Sequence, residues 1–343
     1  MQQEQVKQPA ISHGRGHAWY YALYLWVATW IMRQLVHRFS GDGLHFSKRI
    51  RVSTPGLGRG SVSCSVCLPR GEHPRSLPVL IVLEGGGFVL GEPNDGEQQS
   101  RMISDRVKTV VISIDYAKSP RFPYPHALLQ AYEVLKWSLS IEATREFGIE
   151  IDSSRVAIMG NSAGGNLAAA LTLLCAFETG PPSIFRQGLP PTFRQVSQVL
   201  LYPSLALNAS YGSRFMSSEK DVQDQSLPVW VATAMEESYL PPYIDKEQIF
   251  ITPLSANGDL LRSLARRLPH TAFALAGLDC LKLEAHAYAG QLREAGVSVA
   301  MKEFEGANHG FTHYKSGNRG FRKNDVEGAW DFVIQTLEKH FQE

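Results

Sequence analysis

The sequence predicts an α/β fold, a mainly parallel central sheet with helices on both faces. Three observations carry that reading. Short apolar, β-branched runs of strand length recur at 78–83, 109–115, 155–159, 195–202, 271–276 and 298–304. Longer helical patterns at 127–139, 163–175, 281–295 and 326–341 alternate with them. Several of the runs end directly in glycine turns, at Gly85-Gly86-Gly87, at Gly160 to Gly164 and at Gly277. Tandem strand–turn–helix units of this kind cross over in one hand and build parallel sheets. At 343 residues and 44% hydrophobic content, the chain can bury one large core beneath an accessory layer.

The remaining elements follow in chain order. Residues 1–16 are polar and read as loosely held. Residues 17–36 carry Trp19, Leu23, Val27, Trp30 and Ile31 at helical spacing and read as a helix. The run is short for a membrane span, and its tryptophans and tyrosines prefer interfaces to hydrocarbon. It lacks the basic start, plain aliphatic middle and small-residue cleavage site of a secretory signal. The first reading is a lid helix packed on the main body. A helix lying on a membrane surface and a true anchor are the alternatives. Residues 1–45 are thus set apart, as lid or membrane-contact segment, from a main domain at 46–343.

Alternation at 46–53 and 61–68 predicts an antiparallel hairpin at a sheet edge, joined through Pro55-Gly56-Leu57-Gly58. Residues 204–255 interrupt the strand–helix rhythm. They are polar, carry Pro228, Pro241 and Pro242, and contain an amphipathic stretch at 229–239. This insertion is expected to pair with the N-terminal helix as a helical lid. The lid would cover the C-terminal edge of the strands, where open α/β sheets bind ligands.

Composition narrows the partners. With 34 Lys and Arg against 33 Asp and Glu, and no long basic run, nucleic acid is not expected. Cys64 and Cys67 form a C-x-x-C, but no second pair completes a metal site, and they lie in an alternating strand. Four unevenly spaced cysteines do not make a disulfide framework. Asn208-Ala209-Ser210 fits a glycosylation sequon, which matters only in a secreted chain. The default location is the cytoplasm, with membrane association through residues 17–36 as the alternative. The sequence carries no signal for an oligomeric state.

The chemistry centres on Gly160-Asn161-Ser162-Ala163-Gly164, between a predicted strand and a predicted helix. A serine on so sharp a turn is lifted above the sheet, with amides of the helix N-terminus beside it. Alone, the motif is equally a tight glycine turn; its companions decide. A serine hydroxyl needs a histidine base, and the histidine needs a carboxylate to fix its tautomer. Asp279 follows one strand and His309 follows the last, so both fall on the same sheet edge as Ser162. The order Ser162, Asp279, His309 is that of an elbow-type hydrolase. Glu284 and Asp331 are rival acids, but both fall within helices and read as solvated faces. Gly85, Gly86 and Gly87, with Ala163, can present backbone amides to an oxyanion. This chemistry requires no cofactor and no metal.

These stretches resemble the hormone-sensitive-lipase-like α/β-hydrolases, which include carboxylesterases, over roughly residues 45–343. The family's His-Gly-Gly-Gly-Phe is similar to Glu84-Gly85-Gly86-Gly87-Phe88. Its Gly-Asp-Ser-Ala-Gly-Gly-Asn is matched by residues 160–166 except at Asn161. Its Asp-Tyr-Arg-Leu-Ala-Pro resembles Asp115 to Pro120, and its Pro-x-Pro-x-Ala resembles Pro123 to Ala127. Asp279-Cys280-Leu281 and His309-Gly310-Phe311 resemble the remaining two motifs. The resemblance implies an α/β-hydrolase fold and an esterase-type site under a lid. Its substrate would be a small, moderately apolar ester cleaved through an acyl-enzyme. An acyl-transferring or cyclising enzyme could use the same triad, and a ligand receptor could use the same scaffold. Two departures stand out. Glu84 replaces a histidine and is expected to turn away and bond nearby backbone or a tyrosine. Asn161 replaces an aspartate, keeping its shape without its charge.

Overall fold

The computed structural model describes residues 3–38 and 40–342 of the 343-residue chain. Helix α1 (Trp19–His37) precedes strands β1 (Lys48–Ser53), β2 (Ser61–Cys67) and β3 (Ser76–Leu83). Then come α2 (Glu97–Val107), β4 (Val110–Asp115), α3 (His126–Ser138), α4 (Ile141–Phe147) and β5 (Glu150–Asn161). Helices α5 (Ala163–Ala176) and α6 (Ser183–Gln187) lead to β6 (Gln195–Leu201). The insertion supplies α7 (Tyr211–Met216), α8 (Lys220–Gln225) and α9 (Val229–Tyr239). The chain closes through α10 (Gly258–Leu264), β7 (His270–Leu278), α11 (Lys282–Glu294), β8 (Val299–Asn308) and α12 (Lys323–Gln342).

One eight-stranded sheet runs in the order β1-β2-β4-β3-β5-β6-β7-β8. The β1–β2 and β2–β4 pairs are antiparallel, as the predicted hairpin requires; every later pair is parallel. Strand alternation divides the core into two layers. Val79, Ile81, Leu83, Val156 and Ile158 face α3 and α5. Leu80, Val82, Ala157 and Met159 face α2 and α12, which contribute Ile103, Trp330, Val333 and Leu337. Central strands buried on both faces explain why their sequences read as unbroken apolar runs.

Two differences from the sequence reading bear on the site. Strand β8 continues through Asn308, so His309 leaves the strand directly rather than a loop several residues on. Helix α2 buries one apolar residue, Ile103. Its other buried positions are Glu97, Ser100, Arg101 and Ser104, so burial rests mostly on polar groups that periodicity does not detect. Arg101 is satisfied there by the carbonyls of His45 and Leu68 and by Asp105.

Candidate active site

Strand β5 delivers Ser162 into the turn before α5. Its backbone sits at φ 54°, ψ −120°, a left-handed conformation costly for a non-glycine residue. Close packing explains the neighbouring glycines. A Cβ at Gly164 would stand 1.9 Å from the Leu83 carbonyl oxygen, and one at Gly160 would stand 2.1 Å from that of Gly164. Helix α5 is buried along its whole length, so the elbow rests on a closely packed support.

Ser162 and the two distant residues meet. His309 Nε2 lies 2.9 Å from Ser162 Oγ, and His309 Nδ1 lies 2.6 Å from Asp279 Oδ2. The Asp279 side chain is 2% exposed, and its other oxygen accepts the Leu281 amide at 3.0 Å. The Tyr314 hydroxyl donates to the His309 carbonyl, and the Tyr202 ring packs edge-on against the imidazole. Burial pushes the His309 pKa down, but the Asp279 carboxylate and more distant Glu284 outweigh it and hold it above the ordinary value.

The glycine loop after β3 runs past the serine. The Gly85 amide donates to Asn161 Oδ1 at 2.9 Å, so it is already engaged. Of the four expected oxyanion donors, this leaves Gly86, Gly87 and Ala163. The same bond accounts for Asn161, whose amide oxygen takes the place of a carboxylate oxygen without its charge.

Glu84 turns away from the loop, as expected, but its partner differs from the expected one. Its carboxylate lies 3.2 Å from His313 Nε2. The Tyr116 hydroxyl does bond residue 84, but at the backbone carbonyl, at 2.7 Å. The carboxylate fits because position 96 is glycine; a Cβ there would stand 2.0 Å from Glu84 Oε1. His313 Nδ1 is within 3.2 Å of the Tyr202 hydroxyl and 3.0 Å of Thr312 Oγ1. Burial lowers the His313 pKa, but Glu84 and the more distant Asp95 together outweigh it, so the net shift is upward. Sequence reasoning missed His313. The signal available was a second histidine four residues after His309, opposite an acid where the family carries histidine.

Glu284 is also corrected. It lies in α11, as read, but the carboxylate is buried rather than solvated. It pairs with Arg214 at 3.1 Å and accepts the Leu205 amide. Arg214 also pairs with Glu236 of α9, so one guanidinium joins α7, α9 and α11. Asp331 is exposed on α12 and pairs with Arg106.

A cavity of about 50 Å³ opens against Ser162 and His309. Phe88, Leu207, Tyr211, Leu227, Met235 and Leu281 line it, with Glu236 as its one acid. Larger cavities, of about 590 and 430 Å³, contain none of Ser162, Asp279 or His309. Helix α9 supplies Ala232, Met235 and Glu236 to the cavity wall, and its Tyr239 stacks on Phe88 with ring centres 3.7 Å apart. Helix α1 packs on α9, and Arg33 donates to the carbonyls of Val89 and Ser119 beside the glycine loop.

Cys64 and Cys67 are buried, unpaired thiols in β2. No group of three or more His, Cys, Asp or Glu among the described residues could hold a metal ion. No helix among them is long and apolar enough to cross a membrane.

Comparison with known proteins agrees with this fold. Carboxylic ester hydrolase LipN of Mycobacterium tuberculosis is 31% identical over 291 residues, covering 82% of this chain and 68% of LipN. Carboxylesterase NlhH of the same organism is 29% identical over 241 residues, covering 70% of this chain and 68% of NlhH. Among solved structures, EstE1, a thermostable carboxylesterase cloned from a metagenomic library, superposes with a TM-score of 0.71 at 25% identity. That match covers 92% of this chain and 98% of EstE1. The description of the α/β-hydrolase-fold family matches residues 80–313. With its sheet order, its serine elbow and these relatives, the chain belongs to the α/β-hydrolase-fold family.

Proposed function

We propose that this protein is a carboxylic ester hydrolase working through an acyl-enzyme on Ser162. The observation that carries the reading is the continuous chain Ser162 Oγ–His309–Asp279, at 2.9 and 2.6 Å. His309 Nε2 accepts the Ser162 proton as Oγ bonds the ester carbonyl carbon. Asp279 holds the proton of Nδ1, fixing the tautomer and stabilising the imidazolium. The carbonyl electrons move to oxygen, which faces the amides of Gly86, Gly87 and Ala163. One such donor is worth about 3–4 kcal/mol in comparable sites. As the tetrahedral centre collapses, His309 Nε2 returns its proton to the departing alcohol. Water, deprotonated by the same nitrogen, then attacks the acyl-enzyme carbonyl carbon; as that second tetrahedral centre collapses, the bond to Ser162 Oγ breaks, Nε2 returns its proton to Oγ, and the acid is released.

The relatives named as carboxylic ester hydrolases and carboxylesterases support the reaction class. The small, mostly apolar cavity supports a short or compact apolar acyl group. Helix α1 and residues 204–255 act together as the lid, a role supported by the contact of α1 with α9 and by Tyr239 on Phe88.

Steady-state kinetics on nitrophenyl esters of increasing acyl length test the reading. Expected is a kcat/KM that peaks at short chains and falls to background in Ser162→Ala. Equal turnover by Ser162→Ala, or best turnover with charged acyl groups, would contradict it.

A further inference from the structure

Helix α1 is an unusual lid helix. It touches the body along one narrow stripe, with Leu25 and Thr29 buried and Tyr21, Ala28, Met32 and Arg33 half-buried. Most of the rest of its surface is apolar and exposed, with Gln34 and His37 the polar exceptions near its end. Trp19, Leu23, Trp26 and Trp30 follow one another at steps of three or four residues, on one line of the helix. They are 78%, 53%, 55% and 50% exposed. Tyr20, Val27 and Ile31 widen the strip, and α9, on which α1 packs, exposes Trp230 as well. Contiguous apolar faces of this extent mark a surface that meets a partner.

Charge identifies that partner. Between Glu4 and Asp42 the sequence contains no acid, yet it carries Lys7, Arg15, Arg33 and Arg38. Arg33 is spent on the carbonyls of Val89 and Ser119. Arg15 and Arg38 are exposed and flank the two ends of the helix. The whole chain is nearly neutral, at +1, so this is a local excess. A second copy would bring two acid-free, basic segments face to face. An anionic lipid surface instead pairs the cations with headgroups and takes the tryptophans at the depth they prefer. No described helix is long and apolar enough to cross a membrane, so α1 lies along the surface.

We propose that the outer face of α1 docks this protein on an anionic lipid surface, holding the lid side of the active site towards the bilayer. The orientation, though not the binding, rests on reading Ser162 as the nucleophile. An apolar ester dissolved in the membrane would then reach the cavity under α9 without crossing bulk water.

The test is co-sedimentation of the full chain with two kinds of vesicle. One is pure phosphatidylcholine; the other contains about one-third phosphatidylglycerol. The wild type is expected to bind the anionic vesicles at least about tenfold more tightly, and to release them at high salt. Trp19→Ser/Trp26→Ser/Trp30→Ser is expected to lose binding to both. Arg15→Gln/Arg38→Gln is expected to lose only the preference for anionic lipid. Wild type that stays in the supernatant with both vesicles overturns the proposal, as does a tryptophan variant that sediments like wild type. A concentration-dependent dimer that the tryptophan changes dissolve, without vesicle binding, assigns the face to a second copy and overturns it too. Hydrolysis of a soluble short-chain nitrophenyl ester is followed on the same samples. Its absence throughout would count against the ester reading and leave the sedimentation result standing.

Discussion

Two histidine–carboxylate pairs lie four residues apart in one loop of this protein, and they differ in what stands next to them. His309 pairs with Asp279 at 2.6 Å and presents its other nitrogen to Ser162 Oγ beside an apolar cavity. His313 pairs with Glu84 at 3.2 Å and presents its other nitrogen to the hydroxyls of Tyr202 and Thr312. Both imidazoles are held above their ordinary pKa by the adjoining carboxylate, against the effect of burial. The chemistry of the pair is therefore the same, and the third group sets the role. In the proposed mechanism a hydroxyl at the elbow, open to a cavity, makes His309 a base; buried hydroxyls make His313 a brace. The brace joins the residue just before the glycine loop to the turn just after His309. It thereby ties the glycine loop to the segment that carries His309. Tyr202 links the two, with its ring on His309 and its hydroxyl on His313.

The sharpest way to break this contrast is to remove one carboxylate at a time. Asp279→Asn is expected to lower kcat by about 10⁴-fold with little change in KM, because the wrong tautomer faces Ser162. Glu84→Gln or His313→Gln is expected to lower kcat by about 10- to 100-fold through a shifted loop. The double variant should be no worse than the worse single one, because the two residues act as a unit. A loss as large for Glu84→Gln as for Asp279→Asn would erase the distinction.

A smaller effect is expected in the pH profile. His309 works as a base only when neutral, so activity falls as pH drops through its pKa. With that pKa raised by Asp279, the acid limb of kcat/KM should lie above about pH 6.5, the ordinary histidine value. It should hold its position in His313→Gln. A limb well below about pH 6.5 would contradict the assignment.

The smallest effect is on stability. The His313 pKa is higher folded than unfolded. Its pair with Glu84 therefore contributes fully below about pH 6.5, and loses that contribution as pH rises through the folded value. The Tm gap between wild type and His313→Gln should shrink from about pH 6 to about pH 9. A gap that widens with pH would reverse the sign argued for the pair.

The pairs were unequally legible in the sequence. Ser162, Asp279 and His309 each follow a strand at a turn, so the fold's periodicity placed them on one edge before any contact was known. His313 has no such address, since it sits in the short turn Phe311–His313, and its partner was visible only as an odd residue at position 84. The same limit applied to Glu284. Its helical position argued for solvent, and only packing against Arg214, from a helix about seventy residues earlier, shows otherwise. Periodicity reports apolar burial; it is silent about polar groups buried in pairs. For the same reason the sheet and helix α5 are legible in the sequence, while α2, with its buried Glu97 and Arg101, is not.

The most direct test of the central claim is covalent labelling. Wild type and Ser162→Ala are treated with a fluorophosphonate and read by intact mass, with the labelled peptide sequenced. The account predicts one phosphonyl adduct on wild type, at Ser162, and none on the variant, since an activated serine facing working oxyanion amides is what the reagent reports. Unlabelled wild type, or an adduct that persists in Ser162→Ala, would contradict it.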